Sequence, residues 1–212
     1  MERTIVSYDT QHGSAKKIAT RIAEILECEC LNIDTPHEIE DLSKFDNIVM
    51  VFNFRGPYTA QLTKLYLSRV KAKFKGKNVF IIGEGIFSEK EFPMVAAEIQ
   101  GIIDNTQTFN TYFIRGQLRV ATLTREEKII LGEFSRIYGM EITDMGELNV
   151  DDANPVAQDI IRIINENPVA PVQDEQEHYA WVCSVCQYVH NGPTPPDKCP
   201  LCGMPADKFE KK

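Results

Sequence analysis

Two spacing rules alternate along residues 1–165. Residues 3–8 (Arg-Thr-Ile-Val-Ser-Tyr) are short and apolar and predict a first strand. Over 15–27 the apolar positions Ile18, Ala19, Ile22, Ile25 and Leu26 recur at helical intervals, with Lys, Arg and Glu on the other face. Residues 29–33 predict a second strand. Residues 46–52 form a nearly continuous apolar run, the pattern of a strand buried on both faces. Helical spacing returns over 59–72. Residues 78–83 predict another buried strand, 91–101 a helix and 109–115 a fifth strand. Thr124-Arg-Glu-Glu127 has the form of a capping box and opens a further helix. The last helix runs from Asp152 to Asn165, with Val156, Ile160, Ile161, Ile163 and Ile164 as its apolar stripe.

Strands that alternate with helices make a parallel sheet wrapped on both sides. Five strands in about 165 residues fit the doubly wound order 2-1-3-4-5, whose ligands sit beyond the carboxyl ends of the strands. Residues 166–178 contain two prolines and several acids but few large apolar groups, and predict an exposed linker. A small module then occupies 179–212. The expected organisation is one α/β domain over 1–165, a linker, and this module.

The module holds four of the six cysteines, as Cys183-Ser-Val-Cys186 and Cys199-Pro-Leu-Cys202, with twelve residues between the pairs. Two CxxC turns can aim four thiolates at one point, and a tetrahedral S4 set selects zinc or iron. Cys28 and Cys30 are too close together for ordinary bridge geometry, and alternate strand faces make joint ligation awkward. They are expected to be packing residues. This cysteine usage suggests a reducing, cytoplasmic compartment. No signal-peptide pattern opens the chain, and no apolar run approaches the roughly 18 residues of a membrane span. The net charge of −8 argues against nucleic acid and suits basic patches on protein partners. No Ser-His-Asp set or catalytic carboxylate pair is visible. No GxGxxG follows a strand, so direct nicotinamide oxidation is not expected.

Three loops lie where a ligand is expected. The first, after strand 1, carries Thr10, His12, Gly13, Ser14 and Ala15 into a helix N-terminus, a place suited to a phosphate monoester. The second, after strand 3, is Asn53-Phe54-Arg55-Gly56-Pro57-Tyr58. The third, after strand 4, is Gly83-Glu84-Gly85-Ile86-Phe87.

The first segment resembles the phosphate loop of flavodoxins and of flavodoxin-domain proteins related to menaquinone-dependent protoporphyrinogen oxidases, which run strand, Ser/Thr-x-x-Gly-x-Thr, helix. That resemblance covers roughly residues 1–165 and implies a flavodoxin-like fold with FMN. Thr10, His12, Gly13 and Ser14 would cradle its phosphate; Ala15 stands where the family usually has another hydroxyl. Phe54 or Tyr58 would stack on the flavin ring, with backbone of Arg55 and Gly56 at its edge. Phe87 would be a second wall, and Gly85 would permit a peptide flip beside it.

The module, with Trp181 two residues before the first cysteine, the knuckle Cys199-Pro-Leu-Cys202-Gly203, and Tyr179, Tyr188 and Phe209 as further aromatics, is similar to rubredoxin. It is most like the short domain at the end of rubrerythrins. Iron is the implied metal, with zinc as a substitute. Gln187 departs from the family's glycine, at a position that often takes positive φ.

Together these resemblances imply an electron carrier that relays between FMN and iron. They imply a nicotinamide-dependent reductase or a ferredoxin as donor. Rubrerythrins or flavodiiron proteins would be acceptors, in oxygen or peroxide detoxification. A second reading is an FMN enzyme acting on a small molecule or quinone, with the iron as relay. Its hallmark would be a long basic or apolar insertion, and 101–123 does not look like one. A third is a zinc-bearing binding protein without flavin. Oligomeric state is open, and the linker would let the module visit the flavin of a partner subunit in a homodimer.

Overall fold

The computed structural model describes residues 3–33, 44–54, 67–68, 71–86, 92–103, 105–139, 141–169, 179–192 and 194–211. The chain divides into two compact units, Met1–Val169 and Ala170–Lys212.

In the first unit, β1 (Thr4–Asp9), β2 (Glu29–Asn32), β3 (Asn47–Asn53), β4 (Asn78–Gly85) and β5 (Thr108–Arg115) form one sheet, in the order β2-β1-β3-β4-β5. Every pairing is parallel. The helices are α1 (Ser14–Leu26), α2 (Phe92–Ile102), α3 (Arg125–Tyr138) and α4 (Ala153–Glu166). This is the flavodoxin-like α/β fold that the alternating pattern predicts. The helix expected over 59–72 lies largely outside the described residues; Lys71–Phe74 make a 3-10 turn.

Period-two alternation splits the buried strands between two cores. Val6, Val49, Val51, Phe80 and Ile82 face α1 and α4, while Ile5, Ile48, Phe52, Val79 and Ile81 face α2. Cys28 and Cys30 pack against the first core, and burial pushes the Cys28 thiol up to about 11. Burial raises Cys30 as well. Neither thiol is activated, as a packing role requires.

At the amino ends of the strands a polar ladder crosses the sheet. Thr4, Asn47, Asn78 and Thr108 are successive cross-strand partners. Thr108 Oγ1 donates to Asn78 Oδ1 at 2.9 Å. Asn78 Nδ2 donates to Asn47 Oδ1 at 2.9 Å and to the Asn167 carbonyl at 2.9 Å. Asn47 Nδ2 donates to Thr4 Oγ1 at 3.1 Å. A one-residue slip would unpair these groups, so the ladder fixes register.

Between β5 and α4 the chain adds a segment that the plain alternation does not contain. It includes α3, whose Ile129, Ile130 and Ile137 are exposed. Leu118 and Met145 pair backbone to backbone across its base.

In the second unit β6 (Tyr179–Cys183) lies between β7 (Val189–Gly192) and β8 (Phe209–Lys211), all antiparallel. Among the described residues no helix is long and apolar enough to cross a membrane.

Asn78→Ala removes three hydrogen bonds and leaves the Asn47 carbonyl oxygen without its donor. It is expected to lower stability by about 2–4 kcal/mol, read as a lower urea midpoint in far-UV circular dichroism with the folded baseline unchanged.

Candidate functional site

The first candidate site is the carboxyl end of the sheet, where β1 passes into α1. Gly13 adopts φ 84°, a left-handed turn that a side chain resists, and directs the chain into the helix. Its amide donates to Thr10 Oγ1 at 2.9 Å. No side chain caps α1 and its first turn holds no acid. Its amino-terminal amides and dipole are therefore available to an anion.

Glu84, the second-last residue of β4, follows Phe80 and Ile82 on the α1 face and is 2% exposed. Ser14 Oγ donates to Glu84 Oε2 at 2.9 Å. Asn53 Nδ2 donates to the same oxygen and, at 3.1 Å, to Ser14 Oγ. A β-carbon at Gly116 would overlap the carboxylate, so the absence of a side chain there makes its seat. The Asn53 NH2 group faces both Glu84 and Ser14. Asn53 Oδ1 is buried and has no donor among the described residues.

The inserted segment forms the outer wall. His12 Nε2 donates to both oxygens of Glu127, at 2.9 and 3.0 Å. Glu127 also closes the capping box of α3: it accepts from the Thr124 amide at 2.8 Å, and its own amide donates to Thr124 Oγ1 at 3.2 Å. A cavity of about 70 Å³ opens between His12, Ser14, Gln117, Arg119 and Thr122. The Arg119 guanidinium is held there by the carbonyls of Leu118, Met145 and Gly146.

The Ala15 side chain is buried in the first core, while Thr10, His12, Gly13, Ser14, Asn53 and Glu84 border one region. Phe54 does not serve it as a stacking ring: it is 2% exposed and packs edge-on against Phe92 at 5.8 Å. Apolar burial claims it for the core. Gly83 makes room for the Phe92 ring, and Gly85 for the Phe54 carbonyl. The carbonyls of Glu84 and Gly85 accept from the Phe54 and Gly116 amides, so a peptide flip at Gly85 costs a hydrogen bond. Arg55, Gly56, Tyr58 and Phe87 lie outside the described residues. The pairing of His12 with Glu127 and the seat at Gly116 have no local sequence signal, because both partners come from the insertion or its edge.

The second candidate site is the cysteine cluster. The sulfurs of Cys183, Cys186, Cys199 and Cys202 all lie within 4.8 Å of one another, the one such group of metal-ligating side chains among the described residues. Cys183 and Cys202 sulfurs are 3.7 Å apart, Cys186 and Cys199 3.4 Å. A tetrahedron with metal–sulfur bonds of about 2.3 Å has edges of about 3.8 Å, so the donor set fits one metal ion.

The two knuckles repeat each other. The Gln187 amide donates to the Cys183 carbonyl at 2.9 Å, and that of Gly203 to Cys199 at 2.8 Å. Amides of Cys186 and Val185 donate to the Cys183 sulfur and hold this thiol below its ordinary value. Burial opposes ionisation of Cys199, yet amides of Cys202 and Leu201 bring it down to about 7. Such donors favour thiolate. Trp181, Tyr188 and Phe209 pack around the cluster, and Trp181 Nε1 donates to the Gly192 carbonyl at 3.1 Å. The side chain of Tyr179 lies outside the described residues. Gln187 does take positive φ, 60°, where Gly203 takes 74°.

A family model described as "Flavodoxin domain" matches residues 5–142, and one described as "Rubrerythrin, rubredoxin-like domain" matches 181–210. A protein of Methanocaldococcus jannaschii named as a putative rubrerythrin is 37% identical over 51 residues, 24% of this chain and 25% of that protein. The match therefore spans a quarter of that relative's length. Among solved structures, a short-chain flavodoxin associated with a bacterial PDU microcompartment is 14% identical, with 77% of this chain and 99% of the other covered and a TM-score of 0.48. A flavodoxin from the domain Archaea gives 14%, 78%, 99% and 0.47. A flavodoxin-like protein from Agrobacterium tumefaciens gives 12%, 79%, 99% and 0.47. The chain belongs to the flavodoxin-domain family and carries a C-terminal rubredoxin-like domain of the rubrerythrin type. The two domains support a redox, electron-transfer role.

Two substitutions test these geometries. Gly116→Ala is expected to cost about 1–3 kcal/mol through overpacking, and most of that cost should vanish in a Glu84→Ser background, read as a double-mutant cycle on thermal midpoints. Gln187→Gly relieves a left-handed side chain and should stabilise the metal-loaded protein by about 0.5–1 kcal/mol, read as slower metal loss to a chelator.

Proposed function

We propose that the chain relays electrons between FMN, held in the first unit, and one iron ion held by Cys183, Cys186, Cys199 and Cys202. The sulfur cluster carries this reading. Its four thiolates meet the tetrahedral requirement, and backbone amides aimed at the sulfurs stabilise the negative charge that a reduced centre accumulates. Zinc would satisfy the same donors but would leave those amides without a redox purpose.

When bound, FMN exchanges two electrons and can release them singly, while iron among four thiolates exchanges one without changing its ligands. The chain's part is to hold and insulate. Rigid knuckles with paired hydrogen bonds keep the sulfurs in place between oxidation states. Trp181, Tyr188 and Phe209 shield the cluster, while Cys186 and Cys202 stay partly exposed. Val185 and Leu201 occupy equivalent positions in the two knuckles and are 56% and 69% exposed. They form an apolar lip beside the exposed sulfurs, where a redox partner can approach closely.

For the flavin, the support is the uncapped start of α1 behind Gly13 and the unfilled acceptor on Asn53. The first suits a phosphate and the second a hydroxyl of the ribityl chain. Both centres on one chain raise the effective concentration of each for the other. A nicotinamide-dependent reductase or a ferredoxin is the proposed donor, and rubrerythrin or a flavodiiron protein the proposed acceptor.

The test is the visible spectrum of protein purified without oxygen, with metal and flavin analysis, during stepwise reduction. Flavin and ferric-thiolate bands that bleach together are expected. Zinc in stoichiometric amount with no iron, or no flavin after incubation with FMN, would overturn the relay.

A further inference from the structure

The two edges of the five-stranded sheet are finished differently. On one side β2 is four residues long and carries the exposed Glu29, a short strand with a charge that discourages a further strand. On the other side β5 is eight residues long, holds neither lysine nor proline, and has a single charge, Arg115, at its last position. Among the described residues no strand pairs with its outer edge. Alternate residues of β5 therefore turn amide and carbonyl groups outward, a template for one more strand.

The side chains of β5 add to that template. Phe109, Thr111 and Phe113 lie on the α2 face, opposite Val79, Ile81 and Gly83 of β4. Both rings pack against the α2 core yet are only partly buried, and Thr111 is exposed. Beside them a groove of about 390 Å³ opens between β5 and α2. From the helix it is lined by Pro93, Ala97 and Gln100, none of them charged. The edge thus offers unpaired backbone, half-covered aromatic rings and a groove without a guarding charge.

The order Phe109-Asn-Thr111-Tyr-Phe113 says what fits there. It reads alike in both directions for the residues on the α2 face. If two copies pair antiparallel about Thr111, each Phe109 lies opposite the partner's Phe113, at the spacing where cross-strand aromatic pairs are favourable. Asn110 falls opposite the partner's Tyr112, and Arg115 opposite the partner's Gln107, so no like charges meet. A two-fold axis through the sheet keeps each residue on its own face, and a shift of the axis to Asn110 or Tyr112 breaks both aromatic pairs.

We propose that the outer edge of β5 is a homodimer interface, in which β5 pairs antiparallel with β5 of a second copy about Thr111 and the two sheets become one. Main-chain hydrogen bonds join the strands, and the aromatic pairs set the register and cover the two grooves. β3 and β4 stand between β5 and the loop that follows β1, so the pairing does not rest on flavin being bound.

The experiment is sedimentation velocity of the full chain from about 1 to about 100 μM, with Thr111→Lys, Thr111→Glu and an equimolar mixture of the two. Thr111 is exposed, so neither substitution enters a core. A dimer is expected for the native chain. Each variant alone sets like charges against each other at the axis and should dissociate about tenfold more readily or beyond, while the mixture, in which opposite charges face, should recover association. A native chain that stays monomeric over that range, a dimer indifferent to both substitutions, or a mixture no stronger than its components would overturn the pairing. Should either variant fail to melt cooperatively, hydrogen exchange of the native chain decides. The outward amides among residues 109–113 should gain protection as concentration rises, and exchange independent of concentration would overturn the interface.

Discussion

A parallel sheet covered on both faces has no room for polar side chains except at the ends of its strands. The two ends of this sheet meet that constraint in opposite ways. At the amino ends the groups close on themselves: each donor from Thr108 through Asn78 and Asn47 to Thr4 finds an acceptor, and Asn167 accepts the remaining amide hydrogen. At the carboxyl ends the groups are bonded but leave a remainder. Ser14, Asn53 and Glu84 bond to one another, and one Asn53 oxygen has no donor among the described residues. The amino end is closed, and the carboxyl end keeps one buried acceptor open among the described residues.

The second unit solves a different problem, the holding of four like charges together. Small size rules out a deep core, so the backbone does the work. Each knuckle turns its amides onto its own sulfurs, and the two knuckles use the same hydrogen-bond pattern. The cost shows where the pattern is kept with an unsuitable side chain, at Gln187. That the geometry persists there indicates how strongly the amide-to-carbonyl bond of the turn is preferred over relief of local strain.

Most of the fold was legible because its signals are local. Buried strands such as Asn47–Asn53 read as apolar runs, α1 and α4 as regular stripes, and α3 as a capping box. The cysteine cluster was legible for the same reason: four ligands come from two short repeats. What was not legible depends on distant parts meeting. Gly83-Glu84-Gly85 reads only as part of a ligand loop, with no sign of the burial of Glu84, because Ser14, Asn53 and Gly116 are scattered along the chain. Phe54 reads as a loop aromatic until Phe92 packs on it. In α3, Ile129, Ile130 and Ile137 are exposed. A helical stripe alone does not say whether it meets a core or water.

The ladder at the amino ends also bears on how the chain reaches its structure. Its rungs join Thr4 to Asn47, Asn78 and Thr108, and its last acceptor is the carbonyl of Asn167. Contacts this far apart in sequence reward the chain only after several large loops have closed, which slows the search and makes it all-or-none. On the ribosome, the ladder cannot close until α4 and Asn167 have emerged. The knuckles need only neighbours a few positions away to form and one short excursion to meet. A metal ion can be captured there while the larger unit is still collapsing.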